Sequence, residues 1–209
     1  MLIPIYNTPL WCSRGHFNKD QADKYESICN CVEPKYALEI GFCTGRSAAC
    51  VLYYAARSLI KMISIEKDLD YSKYGRSMAA LLTTKFCHFS IAEQSSGEIL
   101  NNAFFSKEFS KGLDIVTIDG DHSYEQSLFD LTAVAPFLNE NGVIIVDDYL
   151  SGPPNGIYLQ GVNDSVNYFL SLQKTSFQFE TWNVFGKGIC IIRRIENNRR
   201  YKREAHIPL

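Results

Sequence analysis

Titratable residues gather at the ends of two apolar runs. In LDIVTIDGDH the apolar stretch stops at Asp119, and Asp121 and His122 follow at once. In GVIIVDDY it stops at Asp147 and Asp148. Adjacent strands of a sheet lie about 4.8 Å apart, so carboxylates at the ends of paired strands can converge. Converging carboxylates repel unless they are protonated or hold a cation. Hard oxygen donors with open positions suit Mg2+, Mn2+ or Ca2+, which makes Asp119, Asp147 and Asp148 candidate metal ligands. A histidine accepts a proton near neutrality without a large shift, so His122 is a candidate general base and Asp121 its rival. Plainer roles stay open: Asp147 and Asp148 as loop caps, and His122 as a cap of the following helix.

A second constellation lies upstream. ALEIGFCTGRSA reads as a strand, a turn and the start of a helix, with glycines at 41 and 45. Glycine permits a tight turn and the close approach of a ligand to the backbone. The spacing is GxxxG and not the GxGxxG of dinucleotide sites, which argues against an NAD-dependent oxidoreductase. Ser47 can cap the helix or bond a ligand carboxylate. Glu66 closes the next strand, where an acid can accept hydrogen bonds from both hydroxyls of a ribose.

The elements that must position these groups alternate. Strands are expected at 35–41, 61–68, 86–93, 113–121 and 142–149, and helices at 18–32, 46–59, 70–85, 96–109, 123–138 and 162–173. NENG, residues 139–142, reads as a turn. FQFETWNV and GICIIRRI, separated by a few residues that include glycine, read as a closing hairpin. Alternation of this kind predicts an α/β fold with a doubly wound, mostly parallel sheet of seven strands and an antiparallel C-terminal hairpin. Ligands of such sheets bind beyond the carboxyl ends of the strands, at the topological switch point, which is where both constellations fall.

Composition narrows the function further. The 209 residues carry a net charge of −2, with 46% hydrophobic and 21% charged side chains. Nothing in that balance favours nucleic acid or an anionic membrane, and no apolar run reaches transmembrane length. The N-terminus lacks a basic region followed by an apolar stretch, so no secretory signal is expected. The seven cysteines form no pair of CxxC motifs, and most read as buried thiols of a reducing, cytoplasmic setting. The expected organisation is an N-terminal cap over 1–34, a main domain over 35–195 and a polar basic tail over 196–209. Tyr6, Trp11 and His16 in the cap, and Tyr158 in the loop after the acidic pair, could line a site. Homo-oligomerisation stays open.

E-x-G-x-x-x-G-x-S from Glu39 to Ser47, an acid closing the second strand and D-G-D-H closing the fourth resemble class I S-adenosylmethionine-dependent methyltransferases. GFCTGRSA is similar to the turn of catechol-type O-methyltransferases. IDGDHSYE with DLTAVAPFLNENGVIIVDDY resembles a group that includes antibiotic-sugar O-methyltransferases. The resemblance implies a Rossmann-like fold, S-adenosylmethionine as cofactor and Mg2+ as an assisting ion. It places Glu39, Gly41 and Gly45 around the cofactor, Ser47 at its methionine carboxylate, Glu66 at its ribose and Ala92 and Glu93 near its adenine. Asp119 would bind the metal with Asp147 and Asp148, or contact the cofactor amine. His122 stands where catechol-type enzymes carry a lysine base, and Asp121 matches an acid proposed as base in the sugar group. The implied acceptor is a small hydroxylated molecule. The alternatives are a metal-independent enzyme acting on nitrogen or a macromolecule, and a non-enzymatic binding protein of the same fold.

Overall fold

The computed structural model describes residues 17, 19–70, 74–150, 160–184 and 187–195. Tyr6, Trp11, His16, Tyr158 and the 196–209 tail lie outside the described residues. The strands are β1 (Tyr36–Ile40), β2 (Lys61–Ile65), β3 (Phe89–Ala92), β4 (Leu113–Ile118), β5 (Leu138–Val146), β6 (Phe177–Val184) and β7 (Lys187–Arg194). They form one sheet in the order β3-β2-β1-β4-β5-β7-β6. β1 to β5 run parallel, and β7 is antiparallel to both β5 and β6. The chain winds outward from β1 to β3, then crosses back to lay β4 on the other side of β1. That reversal is the switch point, and the expected Rossmann-like architecture is the one found.

Strand side chains alternate between the two faces. Leu38, Ile40, Val116, Ile118, Ile144 and Val146 pack with Ile99, Leu100, Phe105, Leu131, Val134 and Phe169 on one face. Ala37, Ile115, Val143 and Ile145 pack with Ala22, Tyr25, Ala48, Leu52, Ala79 and Leu82 on the other. Helices α1 (Lys19–Val32), α2 (Arg46–Tyr54) and α3 (Gly75–Lys85) supply the second layer. The first is supplied by α4 (Ser96–Leu100), α5 (Ala103–Glu108), α6 (Tyr124–Val134) and α7 (Gln160–Leu172). Among the described residues no helix is long and apolar enough to cross a membrane. Cys29, Cys50 and Cys190 are buried free thiols, whereas Cys31 and Cys87 are exposed.

Three expectations about the elements change. The helix expected at 96–109 is two short ones, α4 and α5. The helix expected at 123–138 ends at Val134 and gives way to a 3-10 turn, Ala135–Phe137. Pro136 lacks the N–H that an α-helix would require there. NENG is not a turn; it lies inside β5, which starts at Leu138 opposite Leu113 and shifts register before Val143 meets Ile115. Asn139 secures the irregular stretch by donating to Asp114 Oδ1 at 2.7 Å.

Candidate functional site

β1 delivers the chain into a turn that only glycine fits at two positions. Gly41 has φ 90°, and a Cβ there would stand 2.0 Å from the carbonyl oxygen of Asp119. Gly45 has φ 70° and precedes α2 in the left-handed conformation. Between them Cys43 also has positive φ, 46°. Glu66, just beyond β2, clamps the turn. Its Oε2 accepts from the backbone N–H groups of Phe42 at 3.1 Å and Cys43 at 3.0 Å. Its Oε1 accepts from Asp68 N–H at 3.1 Å. A carboxylate offers roughly four acceptor directions, so three amides leave Glu66 about one for a ligand, fewer than the two expected for a ribose.

Glu39 lies beneath the turn, fully buried. It accepts hydrogen bonds from Ser47 Oγ and Ser64 Oγ, both at 2.5 Å. Burial pushes its carboxyl up to about 7 against those bonds. Ser47 therefore spends its one proton on Glu39. In that arrangement its oxygen is left as an acceptor. Ala92 ends β3, and its carbonyl accepts from Glu66 N–H at 3.0 Å. Glu93 is exposed and stands 3.6 Å from Arg76 Nη1, which ties the loop after β3 to α3.

The acidic residues lie across the same strand ends. Asp119 N–H donates to the Ile40 carbonyl at 2.8 Å and Asp147 N–H to Ile118 at 3.0 Å, so the parallel ladder continues one step past each strand. His122 Nε2 stands 3.2 Å from Asp148 Oδ2 and 3.5 Å from Asp119 Oδ1. The donor atoms of these three residues all lie within 4.8 Å of one another. The carboxylates of Asp119 and Asp148 hold His122 well up, to about 10, despite its partial burial. Asp148 has φ 57°, an uncommon conformation for a residue other than glycine.

Asp147 does not join the three. Its Oδ1 accepts from Asp148 N–H at 2.9 Å. Its carboxylate also receives Gln21 Nε2 at 3.4 and 3.5 Å. Asp121 stands apart as well. Its Oδ1 accepts from Ser123 N–H at 2.8 Å, in the tight turn that opens α6, and that bond lowers its carboxyl below the usual range. Gly161 in α7 presses on the same segment, since a Cβ there would stand 2.6 Å from the His122 carbonyl.

Two groups of polar residues were not read from the sequence. Gln21 and Tyr25 project from α1 onto the strand ends, where Tyr25 donates to Thr117 Oγ1 at 3.3 Å. Their signal is periodic: Gln21, Ala22, Tyr25, Ile28 and Cys29 form the buried stripe of α1, and a glutamine within such a stripe needs a polar partner. The second group is Ser96, Gln126 and Asp130. Gln126 Nε2 donates to Ser96 Oγ at 3.0 Å and to Asp130 Oδ1 at 2.9 Å. Asp130 is fully buried, and its Oδ2 has no hydrogen-bond partner.

Burial raises the Asp130 carboxyl to about 6, and its contacts with Ser96 and Gln126 offset only part of that. A free aspartate titrates at about 3.9, so the fold prefers the protonated form. Stability from this group is whole below pH 4, falls between pH 4 and 6, and is lost above. The ionised carboxylate then costs roughly 2–3 kcal/mol. Asp130→Asn is expected to raise the melting temperature at pH 8 and to leave it unchanged at pH 4. Thermal unfolding across that range checks it, and a destabilised variant at pH 8 would contradict it.

A family profile described as a methyltransferase domain matches residues 38–149. No curated protein matches the sequence. Among solved structures, a candidate O-methyltransferase from Klebsiella pneumoniae superposes with a TM-score of 0.70 at 14% identity, covering 87% of this chain and 83% of its own. A candidate caffeoyl-CoA O-methyltransferase from Staphylococcus aureus gives 0.67 at 18% identity, with 86% and 85% covered. The O-methyltransferase TomG of Streptomyces achromogenes, involved in tomaymycin synthesis and solved with S-adenosylmethionine, gives 0.67 at 14% identity, with 85% and 81% covered. At these identities the likeness is one of fold.

Proposed function

This chain belongs to the methyltransferase-domain family of S-adenosylmethionine-dependent enzymes, and on that premise we propose that it methylates a hydroxyl of a small acceptor, sugar or polyphenol-like, with the help of a divalent cation. The observation that carries the proposal is the convergence of Asp119, His122 and Asp148 within 4.8 Å, beside the Gly41–Gly45 turn at the switch point. Two carboxylates and an imidazole are a donor set that fits a divalent ion. Asp119 and Asp148 would hold it. When bound, the ion would act as a Lewis acid toward the acceptor oxygen and fix its position. The cofactor supplies the methyl group of a sulfonium.

The residues of the chain divide the remaining work. Gly41 and Gly45 open the turn to the cofactor, and Glu66 keeps the amides of Phe42 and Cys43 in place while retaining an acceptor direction for the ribose. Glu39 sets Ser47 beneath the amino-acid end. Ala92 and Glu93 border the adenine side. With the Asp119, His122 and Asp148 side chains committed to an ion, the proton of the polarised acceptor hydroxyl would leave to solvent. Asp121 is a poorer base, because the Ser123 amide stabilises its charged form and weakens its hold on a proton.

The test has two arms. S-adenosylhomocysteine should bind and raise the melting temperature by mass action. Glu66→Ala should weaken that binding by roughly 1.5–3 kcal/mol, the loss of a charged hydrogen bond, measured by calorimetric titration. Methyl transfer to a panel of catechols and hydroxylated sugars should stop in excess EDTA and return with added metal. Binding of NAD in place of S-adenosylhomocysteine would sink the cofactor reading. Full turnover in EDTA would sink the metal reading alone.

A further inference from the structure

The His122 imidazole has two distinct ways to sit between two carboxylates. As an imidazolium it would bridge them through one proton on Nε2, aimed along a hydrogen bond. As a neutral ring it would present the Nε2 lone pair to an ion that the carboxylates also hold. The distances, 3.2 Å to Asp148 Oδ2 and 3.5 Å to Asp119 Oδ1, are short enough for a hydrogen bond to at least one oxygen. Yet Nε2 is a buried atom with no aligned hydrogen-bond partner. Donors bonded at about 2.1 Å to one ion stand about 3.0 Å apart on an octahedral edge and about 3.4 Å apart on a tetrahedral edge. The two separations from Nε2 match those edges, and the two carboxylates lie within 4.8 Å of each other.

The surrounding chain holds this arrangement in place. Asp148 keeps the left-handed φ of 57°, and strain of that kind persists only where neighbours over-determine it. Here the Asp147 carboxylate accepts the Asp148 N–H, and Gln21 donates to the Asp147 carboxylate from α1. Asp147 thus acts on Asp148 from behind. On the other side, the Asp121–Ser123 turn and the close approach of Gly161 fix the backbone that carries His122.

We infer that His122 is itself a metal ligand, and that the Asp119–His122–Asp148 set, with Asp147 as a positioning residue, selects a divalent transition ion over Mg2+. The inference rests on the metal-assisted reading and deepens it. Mg2+ favours an all-oxygen sphere and keeps its waters. An imidazole nitrogen shifts preference toward first-row transition ions, which bind nitrogen more strongly. A set of three acids, as the sequence alone would have it, carries no such preference.

Mn2+ serves as the probe, with titration followed by electron paramagnetic resonance and Mg2+ as competitor. One Mn2+ per chain is expected, bound at least about 10-fold more tightly than Mg2+. Pulsed resonance should show nitrogen hyperfine coupling to the ion. His122→Ala and His122→Lys should both abolish that coupling and weaken Mn2+ about 10- to 100-fold, while Mg2+ and S-adenosylhomocysteine binding change little. The lysine variant restores a cation, so it would rescue a bridging or basic role but not a ligand. His88→Ala, remote from the site, should leave the coupling intact. Mn2+ binding without nitrogen coupling, or equal affinity in the His122 variants, overturns the assignment and spares the metal-assisted reading. If wild-type protein binds neither ion, both fall together.

Discussion

Replacing Asp119 by alanine is expected to lower kcat by about 10³-fold or more while the chain stays folded. The backbone of Asp119 does the structural work: its N–H extends the β4–β1 ladder and its carbonyl backs Gly41. Alanine keeps both. The side chain is about a third exposed and reaches His122, so its removal leaves no cavity in the core. What disappears is one of the two carboxylates that, on the proposed reading, would hold the cation and fix charge beside the acceptor. Losing one preorganised electrostatic contact costs about 10²–10³ in kcat, and Lewis-acid assistance is worth several kcal/mol more. Together these make about 4 kcal/mol or above, at 1.36 kcal/mol per tenfold. Release of S-adenosylhomocysteine at saturating cofactor, beside a melting curve, measures it. Turnover within a few-fold of wild type in a folded variant would remove Asp119 from the machinery.

The second large effect is Gly41→Ala. A Cβ at Gly41 would stand 2.0 Å from the Asp119 carbonyl oxygen, 2.5 Å from its carbon and 2.9 Å from Gly120 Cα. All three are backbone atoms, so no side chain can swing aside. The φ of 90° adds left-handed strain of about 1–2 kcal/mol, and overpacking adds about 1–3 kcal/mol. A loss of about 2–5 kcal/mol should lower the melting temperature by roughly 5–20 °C at 2–4 °C per kcal/mol. Because β1 and β4 must separate to make room, S-adenosylhomocysteine should no longer stabilise the variant. Gly97 is the control. It lies in α4, and the nearest atom to its Cβ is Ser95 Oγ at 4.0 Å, so Gly97→Ala should be neutral or stabilise by up to about 1 kcal/mol. Equal melting temperatures for the two variants would refute the close-approach argument.

The sequence by itself determined the fold class and the strand ends at which the candidate residues gather. Apolar alternation in strands and periodic burial in helices are local properties, and they survive in β1, β2, β4 and α1 nearly as read. Gly41, Gly45 and Glu66 were legible because turn chemistry and strand ends are written in adjacent residues. Tertiary structure decided which acids meet. Asp147 and Asp148 are neighbours at a strand end, where side chains leave in opposite directions. Which of the two faces Asp119 goes with the positive φ at Asp148, where the Asp147 carboxylate turns back onto the Asp148 N–H and lies beside Gln21 of α1. The same limit explains NENG, whose turn chemistry is drawn into β5 by the pairing of Leu138 with Leu113 before it and of Val143 with Ile115 after it. It also explains the cluster itself. His122 takes Asp119 from its own strand end and Asp148 from the neighbouring β5, whereas the reversal of winding between β3 and β4 sets β4 beside β1 and so brings the cluster to the Gly41–Gly45 turn; a residue's local context carries no record of that reversal.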